Sequence, residues 1–268
     1  MIHETGSDFD LLFVTDLNYT EEQLRLLGTL KRPGNKIVYL DHHNYTYDLA
    51  SVCDELGIIH RQTKDRCGCM ITYEFLKQKN IGHLQQLNIV TDIYDRWQKQ
   101  EPEFFEQAIP LNDLFWEYSM YKFIDKFKDG YKLDSEDKKV ITRKAEERKT
   151  FINTTLKNHS MIDEDLKILI TMNANTNFLN DFTLYMPGYN VYVLLANSEN
   201  NSFQFSIRIS DLCDLTIQEF YSTIQNKVDW KLQCGGHEKS GGVTIPQDKL
   251  EVFMDAIYST LSERGTDG

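Results

Sequence analysis

The sequence predicts an α/β protein in two parts, a parallel-sheet domain joined by a long helix to a smaller α/β C-terminal domain. Three observations lead there. Apolar runs of strand length alternate with helical segments from Asp10 to about Lys79, the grammar of a parallel sheet with helical crossovers. Glu136 to Leu156 reads as one uninterrupted helix, and beyond it strand candidates return around a glycine-rich stretch. The boundary is placed at the end of that helix, giving domains of 1–158 and 159–268.

The elements follow in order. Leu11-Leu12-Phe13-Val14-Thr15 is an apolar run ending in Asp16, and Thr20-Glu21-Glu22-Gln23 is a capping box that opens a helix carrying Leu24, Leu26 and Leu27. Arg32-Pro33-Gly34-Asn35 is a turn signal before a second strand, Lys36 to Leu40. A helix near Tyr47 to Leu56 leads to a short strand at Ile58-Ile59-His60, and a further helix runs from Met70 to Gln78. The stretch from Leu84 to Leu156 is mostly helical. After it come strand candidates at Leu166 to Thr171, Asn190 to Ala196 and Ser202 to Ile209, then a helix from about Leu215 to Gln225. The glycine-rich run Cys234 to Gly242 passes into Val243-Thr244-Ile245, and a last amphipathic helix carries Leu250, Phe253, Ile257 and Leu261.

At 268 residues, with 41% hydrophobic and 12% aromatic content, the chain is long enough to bury two modest cores. Its formal net charge of −12 repels long polyanions unless basic groups gather in one cleft, which favours short or small phosphate ligands over duplex DNA. The longest apolar runs, such as Val191 to Ala196, are too short to span a bilayer, and no basic region followed by an apolar segment marks a signal peptide. A soluble cytoplasmic protein with no membrane partner is expected, and no oligomeric state is read from the sequence. Five cysteines are an odd, sparse set, read as reduced thiols; Cys67-Gly68-Cys69 lacks the spacing of a zinc knuckle and is read as small residues opening a helix.

In parallel sheets ligands bind beyond the carboxyl ends of the strands, which singles out Asp16 and Asp41-His42-His43. A carboxylate and imidazoles converging there suit manganese or a similar divalent ion. A third ligand is needed. Asp95, between Tyr94 and Trp97, is one choice, and Asp92, a helical turn earlier, is the other.

The strand ending in Asp16, the strand ending in Asp41-His42-His43, the Tyr94-Asp95-Arg96-Trp97 element and the Gly235-Gly236-His237 loop resemble, in order and spacing, the DHH phosphoesterases. The resemblance covers nearly the whole chain and is to the nanoRNase and RecJ-like branch, whose members cut phosphate esters with manganese. It implies that Asp16 bridges two metals, that His42 and Asp95 are metal ligands, that Asp41 orients a histidine, and that His43 faces the substrate phosphate. Asp16, Asp41 and His43 are thus the expected catalytic group. In the C-terminal domain it implies that Arg208, in Ser206-Ile207-Arg208, together with Gly235, Gly236 and His237 binds substrate. Lys239 is read as a solvated loop charge, and Trp97, Phe115 and Trp116 leave room for bases to stack.

The implied activity is manganese-dependent hydrolysis of phosphodiester bonds in short oligonucleotides or small nucleotides by a metal-activated water, with magnesium as the alternative ion. Two departures are visible. Family members begin with a strand bearing a His and two Asp residues, and this chain starts just before the strand that should come second; His3, Asp8 and Asp10 imitate the missing spacing, but Asp8-Phe9-Asp10 leads straight into the next strand. Cys234 also replaces the first glycine of the usual triple-glycine loop, and Ser240-Gly241-Gly242 stands where two alanines and a glycine are common. The other expectation is therefore a catalytically impaired nucleotide or oligonucleotide binder, or a truncated enzyme.

Overall fold

The chain is described by a computed structural model over residues 9–172, 178, 180–199, 201–236 and 238–265. It divides into two compact units, Met1–Ile141 and Thr142–Gly268. The division falls inside one helix of 24 residues, Ser135–Asn158, and so earlier than the 158/159 boundary read from the sequence.

In the first unit three strands, β1 (Leu11–Thr15), β2 (Lys36–Asp41) and β3 (Ile59–Gln62), form a parallel sheet in that order. The central β2 is buried from Ile37 to Asp41, as a strand covered on both faces must be. Ile37 and Tyr39 point toward α1 (Glu21–Gly28) and α2 (Leu49–Leu56), meeting Leu24, Leu27, Val52 and Cys53. Val38 and Leu40 point the other way, toward Ile71 of α3 (Gly68–Leu76), against which α4 (Gln85–Asp95) packs. The capping box read at the start of α1 is present: Gln23 N–H donates to the Thr20 hydroxyl at 3.2 Å and the Gln23 carboxamide accepts from Thr20 N–H at 2.9 Å. Helices α5 (Ile109–Glu117) and α6 (Met120–Phe127) precede the long helix α7 (Ser135–Asn158).

Register explains why this sheet makes a site. Thr15 pairs with Leu40 and Asp41 with Gln62, so β1 and β2 end side by side and the next residues of each emerge at one edge.

The second unit carries six strands in the order β4-β5-β6-β7-β9-β8, namely β4 (Ser160–Asp163), β5 (Ile168–Thr171), β6 (Val191–Glu199), β7 (Ser202–Ile209), β8 (Gln233–Gly236) and β9 (Ser240–Pro246). Only the β5 and β6 pairing is parallel. One face, with Val193, Phe205, Ile207, Val243 and Ile245, is covered by α9 (Ile217–Gln225) and α10 (Leu250–Gly265) through Phe220, Phe253 and Ile257. The opposite face is covered at its β5 and β6 end by Ile152 of α7 and Phe182 of the short α8 (Phe182–Tyr185). β4 and β8 were not among the strands expected. Both lie at sheet edges, and Gln233-Cys234-Gly235-Gly236 has the composition of a loop; backbone pairing to β9, not side-chain propensity, makes it a strand. No helix among the described residues is long and apolar enough to cross a membrane.

Candidate metal centre and phosphate groove

Asp16 follows β1 and donates its N–H to Leu40 O at 3.0 Å, with a left-handed φ of 59° that aspartate tolerates better than most residues. Its side chain lies directly against Gly68 at the start of α3: a Cβ built on Gly68 would sit 2.6 Å from Asp16 Cβ and 2.7 Å from Cγ. Only glycine leaves that space. His42, one residue beyond β2, places Nε2 3.1 Å from Asp16 Oδ1 and 3.7 Å from Asp95 Oδ2 at the end of α4. Ligand atoms of Asp16, His42 and His43 all lie within 4.8 Å of one another. The carboxylates are open to solvent while His42 is mostly covered, with side-chain exposures of 44% for Asp16, 39% for Asp95 and 13% for His42.

The Asp16 hydrogen bond raises the His42 pKa above the ordinary imidazole value; desolvation opposes it and the Asp95 charge adds to it. A raised folded-state pKa means that this interaction stabilises the metal-free fold below the unfolded pKa, and that the contribution is lost as pH rises through the folded pKa. In a proton NMR titration of metal-free chain, His42 is expected to titrate above the free imidazole value, and Asp16→Asn to move it down. A midpoint indifferent to Asp16→Asn would remove the contact from solution.

His43 is held from below. Its Nδ1 lies 2.8 Å from Oδ1 of Asp41, a fully buried carboxylate whose Oδ2 accepts from the Tyr45 hydroxyl. Tyr45 and Tyr39 hydroxyls are 2.8 Å apart, and Tyr39 donates to Leu17 O. Burial pushes the Tyr39 phenol up to about 12 and Tyr45 higher still, so both remain protonated donors. An ionised carboxylate only accepts, so His43 donates from Nδ1 and presents Nε2. Gln62 at the end of β3 fixes the same loop by donating to His43 O at 2.5 Å. Tyr39, Tyr45 and Gly68 were not singled out from the sequence. The two tyrosines flank Asp41 at a spacing no strand or helix rule selects, and Gly68 is recognisable only once Asp16 is beside it.

Of the two competing carboxylates, Asp95 comes to His42. Asp92 is turned inward, accepting Cys67 N–H at 2.6 Å and lying 3.5 Å from the Arg96 guanidinium. Cys67 in turn caps α3, receiving Met70 N–H on its sulfur. Trp97 packs on Tyr94 and Phe104, anchoring the end of α4, while Trp116 and Phe115 pack edge to face. His3 and Asp8 lie outside the described residues, and the carbonyl of Asp10 accepts Lys36 N–H as the sheet begins.

In the second unit Arg208 stands on the face of β7 away from α9 and α10. Its Nε donates to Asn180 Oδ1 at 3.0 Å, its Nη2 to the same oxygen at 2.5 Å, and its Nη1 to Ser206 Oγ at 2.7 Å and Ile207 O at 2.8 Å, so the guanidinium is fixed. It lines a cavity of about 740 Å³ shared with Gly235 and Gly236. His237 lies outside the described residues. Lys239 is not a solvated charge: its ammonium donates to Cys213 O at 2.7 Å and Leu215 O at 3.0 Å and staples the loop before α9.

The two glycines differ. Gly236 has φ 156°, and a Cβ there would lie 2.2 Å from Ser240 O, whereas a Cβ on Gly235 meets nothing within 4 Å. Gly236→Ala is therefore expected to cost about 1–3 kcal/mol of stability in denaturant melts, and Gly235→Ala well under about 1 kcal/mol. Equal melts would remove the structural distinction.

No family model matches the chain. It is 24% identical over 270 residues to the oligoribonuclease NrnB of Bacillus subtilis (strain 168), across 93% of this chain and 63% of the length of that curated relative. Among solved structures, the DHH domain of a member of a family of ribosomal proteins covers 94% of this chain and 69% of its own, with TM-score 0.68 and 15% identity. The chain has the DHH fold. The α/β class and the resemblance read from the motifs are both borne out. RecJ of Thermus thermophilus, solved in complex with Mn2+, matches 95% of this DHH-fold chain and 45% of its own, with TM-score 0.53 and 12% identity.

Proposed function

We propose that this DHH-fold chain is a divalent-metal-dependent phosphoesterase that hydrolyses phosphodiester bonds of short oligonucleotides or small nucleotides, with manganese the preferred ion and magnesium the alternative. The observation that carries the reading is the convergence of Asp16, His42 and His43 at the adjacent ends of two parallel strands, with Asp95 of α4 approaching His42. Two carboxylates and an imidazole are a donor set that manganese accepts. A bound divalent ion supplies Lewis acidity at the phosphate and an acidified water as nucleophile. The chain's own residues do the rest. Asp16, His42 and Asp95 would hold the ion; Asp41, fully buried, accepts from His43 Nδ1 and fixes its ring; and His43 faces the substrate phosphate, to which its imidazolium form donates from Nε2. In the second unit Arg208 binds the substrate phosphate, and Gly235, Gly236 and His237 contact the substrate. The similarity to an oligoribonuclease supports the substrate class. All five cysteines are free, which supports a reducing cytoplasm as the working compartment.

The test is hydrolysis of an aryl phosphodiester and of RNA and DNA oligomers of about 2 to 10 residues, with and without manganese. Manganese-dependent release of mononucleotides is expected, and no cleavage of any of them at saturating manganese would overturn the enzyme reading. A second reading has one observation in its favour: the donors gathered among the described residues form one group, enough for a single ion, and a single ion does not clamp both the attacking and the leaving oxygen. On that reading the chain binds nucleotides without turnover, and one bound manganese together with tight oligonucleotide binding and no product would favour it.

Arg208→Ala is expected to weaken phosphate binding by about 1.5–3 kcal/mol, as loss of a charge-assisted contact does, and to leave metal content intact because metal donors and Arg208 belong to different units. Titration calorimetry and metal analysis of the same sample read both quantities, and parallel loss of the two would mean misfolding or a shared site.

A further inference from the structure

Beyond Arg208, the face of β7, β9 and β8 that points away from α9 and α10 carries its side chains in cross-strand rows. Arg208 pairs with Ser240. Two residues along, Ser206 lies opposite Gly242, and Gly242 opposite Gly235. Two further, Gln204 lies opposite Thr244, and Thr244 opposite Gln233. Their alternate neighbours Phe205, Ile207 and Val243 are buried in the core behind the sheet, so all three rows face the cavity. Antiparallel strands advance about 3.4 Å per residue, which puts successive rows about 7 Å apart and the last about 14 Å from the first.

The chemistry changes along the groove. The first row holds the fixed guanidinium. The middle row is a floor with two glycines: a Cβ on Gly235 would meet nothing within 4 Å, and one on Gly242 would meet only Phe205 O at 3.9 Å. The last row is uncharged, with two carboxamides and a hydroxyl, and both glutamines are exposed. Each carboxamide offers donors and an acceptor together. That set suits a nucleobase edge, to which glutamine binds through paired donor and acceptor. It does not suit a run of phosphates, which offers acceptors alone and calls for cations along the whole groove. Among the described residues that border the cavity the one aromatic, Phe205, has its side chain in the core, and the carboxamides of the last row are placed to meet a base by its edge.

We infer that Gln204, Thr244 and Gln233 form a base-reading row, and that the groove takes one nucleotide along the strands, with phosphate at Arg208, sugar over the glycine floor and base edge at the amides. The inference rests on the reading of Arg208 as a phosphate contact and adds the ligand class, a nucleoside phosphate as opposed to inorganic polyphosphate, and the residues that select it.

The test is calorimetric titration of the full chain in manganese with 5′-AMP, which has no phosphodiester to cut, with ribose 5-phosphate, which has no base, and with tripolyphosphate. AMP is expected to bind about tenfold tighter than ribose 5-phosphate, the size of one or two neutral hydrogen bonds. Gln204→Leu combined with Gln233→Leu should erase that ratio without changing ribose 5-phosphate affinity or the melting temperature, since both positions are exposed. Thr244→Val should reduce the ratio in part. If the double variant keeps the AMP preference, or tripolyphosphate binds tighter than AMP, the base-reading row is overturned, while loss of both sugar phosphates in Arg208→Ala leaves the phosphate contact standing. If Arg208→Ala changes neither ligand, or the unaltered chain binds none of the three, the phosphate reading beneath the inference fails as well.

Discussion

Asp16→Asn is expected to lower manganese affinity by roughly 10–100-fold or more and to reduce oligonucleotide hydrolysis at least in proportion, since even residues that only support a metal ligand reach that size. Asparagine is the right replacement because it tolerates the left-handed φ of 59° that alanine does not, so the change removes the charge and leaves the turn. Asp95→Ala should follow Asp16→Asn in metal affinity. Asp92→Ala should not: its carboxylate accepts the buried Cys67 N–H, and leaving that donor unpaired costs about 1–3 kcal/mol of stability with manganese binding retained. Calorimetry with manganese and a denaturant melt on the three variants separate the roles. Loss of metal in Asp92→Ala with full binding in Asp95→Ala would reverse the assignment of the two carboxylates.

Much of this site was legible because its signals are local. Thr20 and Gln23 mark the start of α1 by a hydrogen-bond pattern confined to four residues, and Asp16 and the Asp41-His42-His43 triplet are conspicuous because each directly follows an apolar run of strand length. What was not legible depends on residues far apart in sequence. Asp92 and Asp95 stand on one helix with similar neighbours, and only the packing of α4 against α3 turns the first to Cys67 and leaves the second to His42. β8 hides behind two glycines because its stabilisation comes from β9. The long polar helix α7 gives no hint of where one unit ends, because the packing of Ile152 with Leu169 and Tyr192, which ties its second half to the second unit, is made by residues that follow it in sequence. Lys239 reads as a surface charge until the carbonyls of Cys213 and Leu215 are seen around its ammonium.

Gly68 carries the other large effect. It sits between Cys67 and Cys69, which draw the eye as a motif, yet its own missing side chain is what the proposed metal centre uses. Alanine at 68 would bring a methyl to 2.6 Å from Asp16 Cβ, 2.7 Å from Cγ and 2.8 Å from Oδ1. The atom struck first is the root of the aspartate side chain, so rotation of the carboxylate does not relieve the clash, and Asp16 N–H is itself tied to Leu40 O. Either the turn after β1 or the first turn of α3 has to move. Gly68→Ala is therefore expected to cost about 1–3 kcal/mol of stability, the usual range for overpacking, and to lower manganese affinity by roughly tenfold or more by displacing the ligand. Gly28→Ala is the control. There a new Cβ would lie 2.7 Å from a terminal methyl of Leu56, which can rotate, and its three nearest contacts are all on Leu56 and not on a metal donor. It should lower stability modestly and leave manganese binding untouched. A Gly68→Ala chain that binds manganese as tightly as the unaltered one would show that Asp16 reaches the ion from another position, and the contact with α3 would lose its role in the centre.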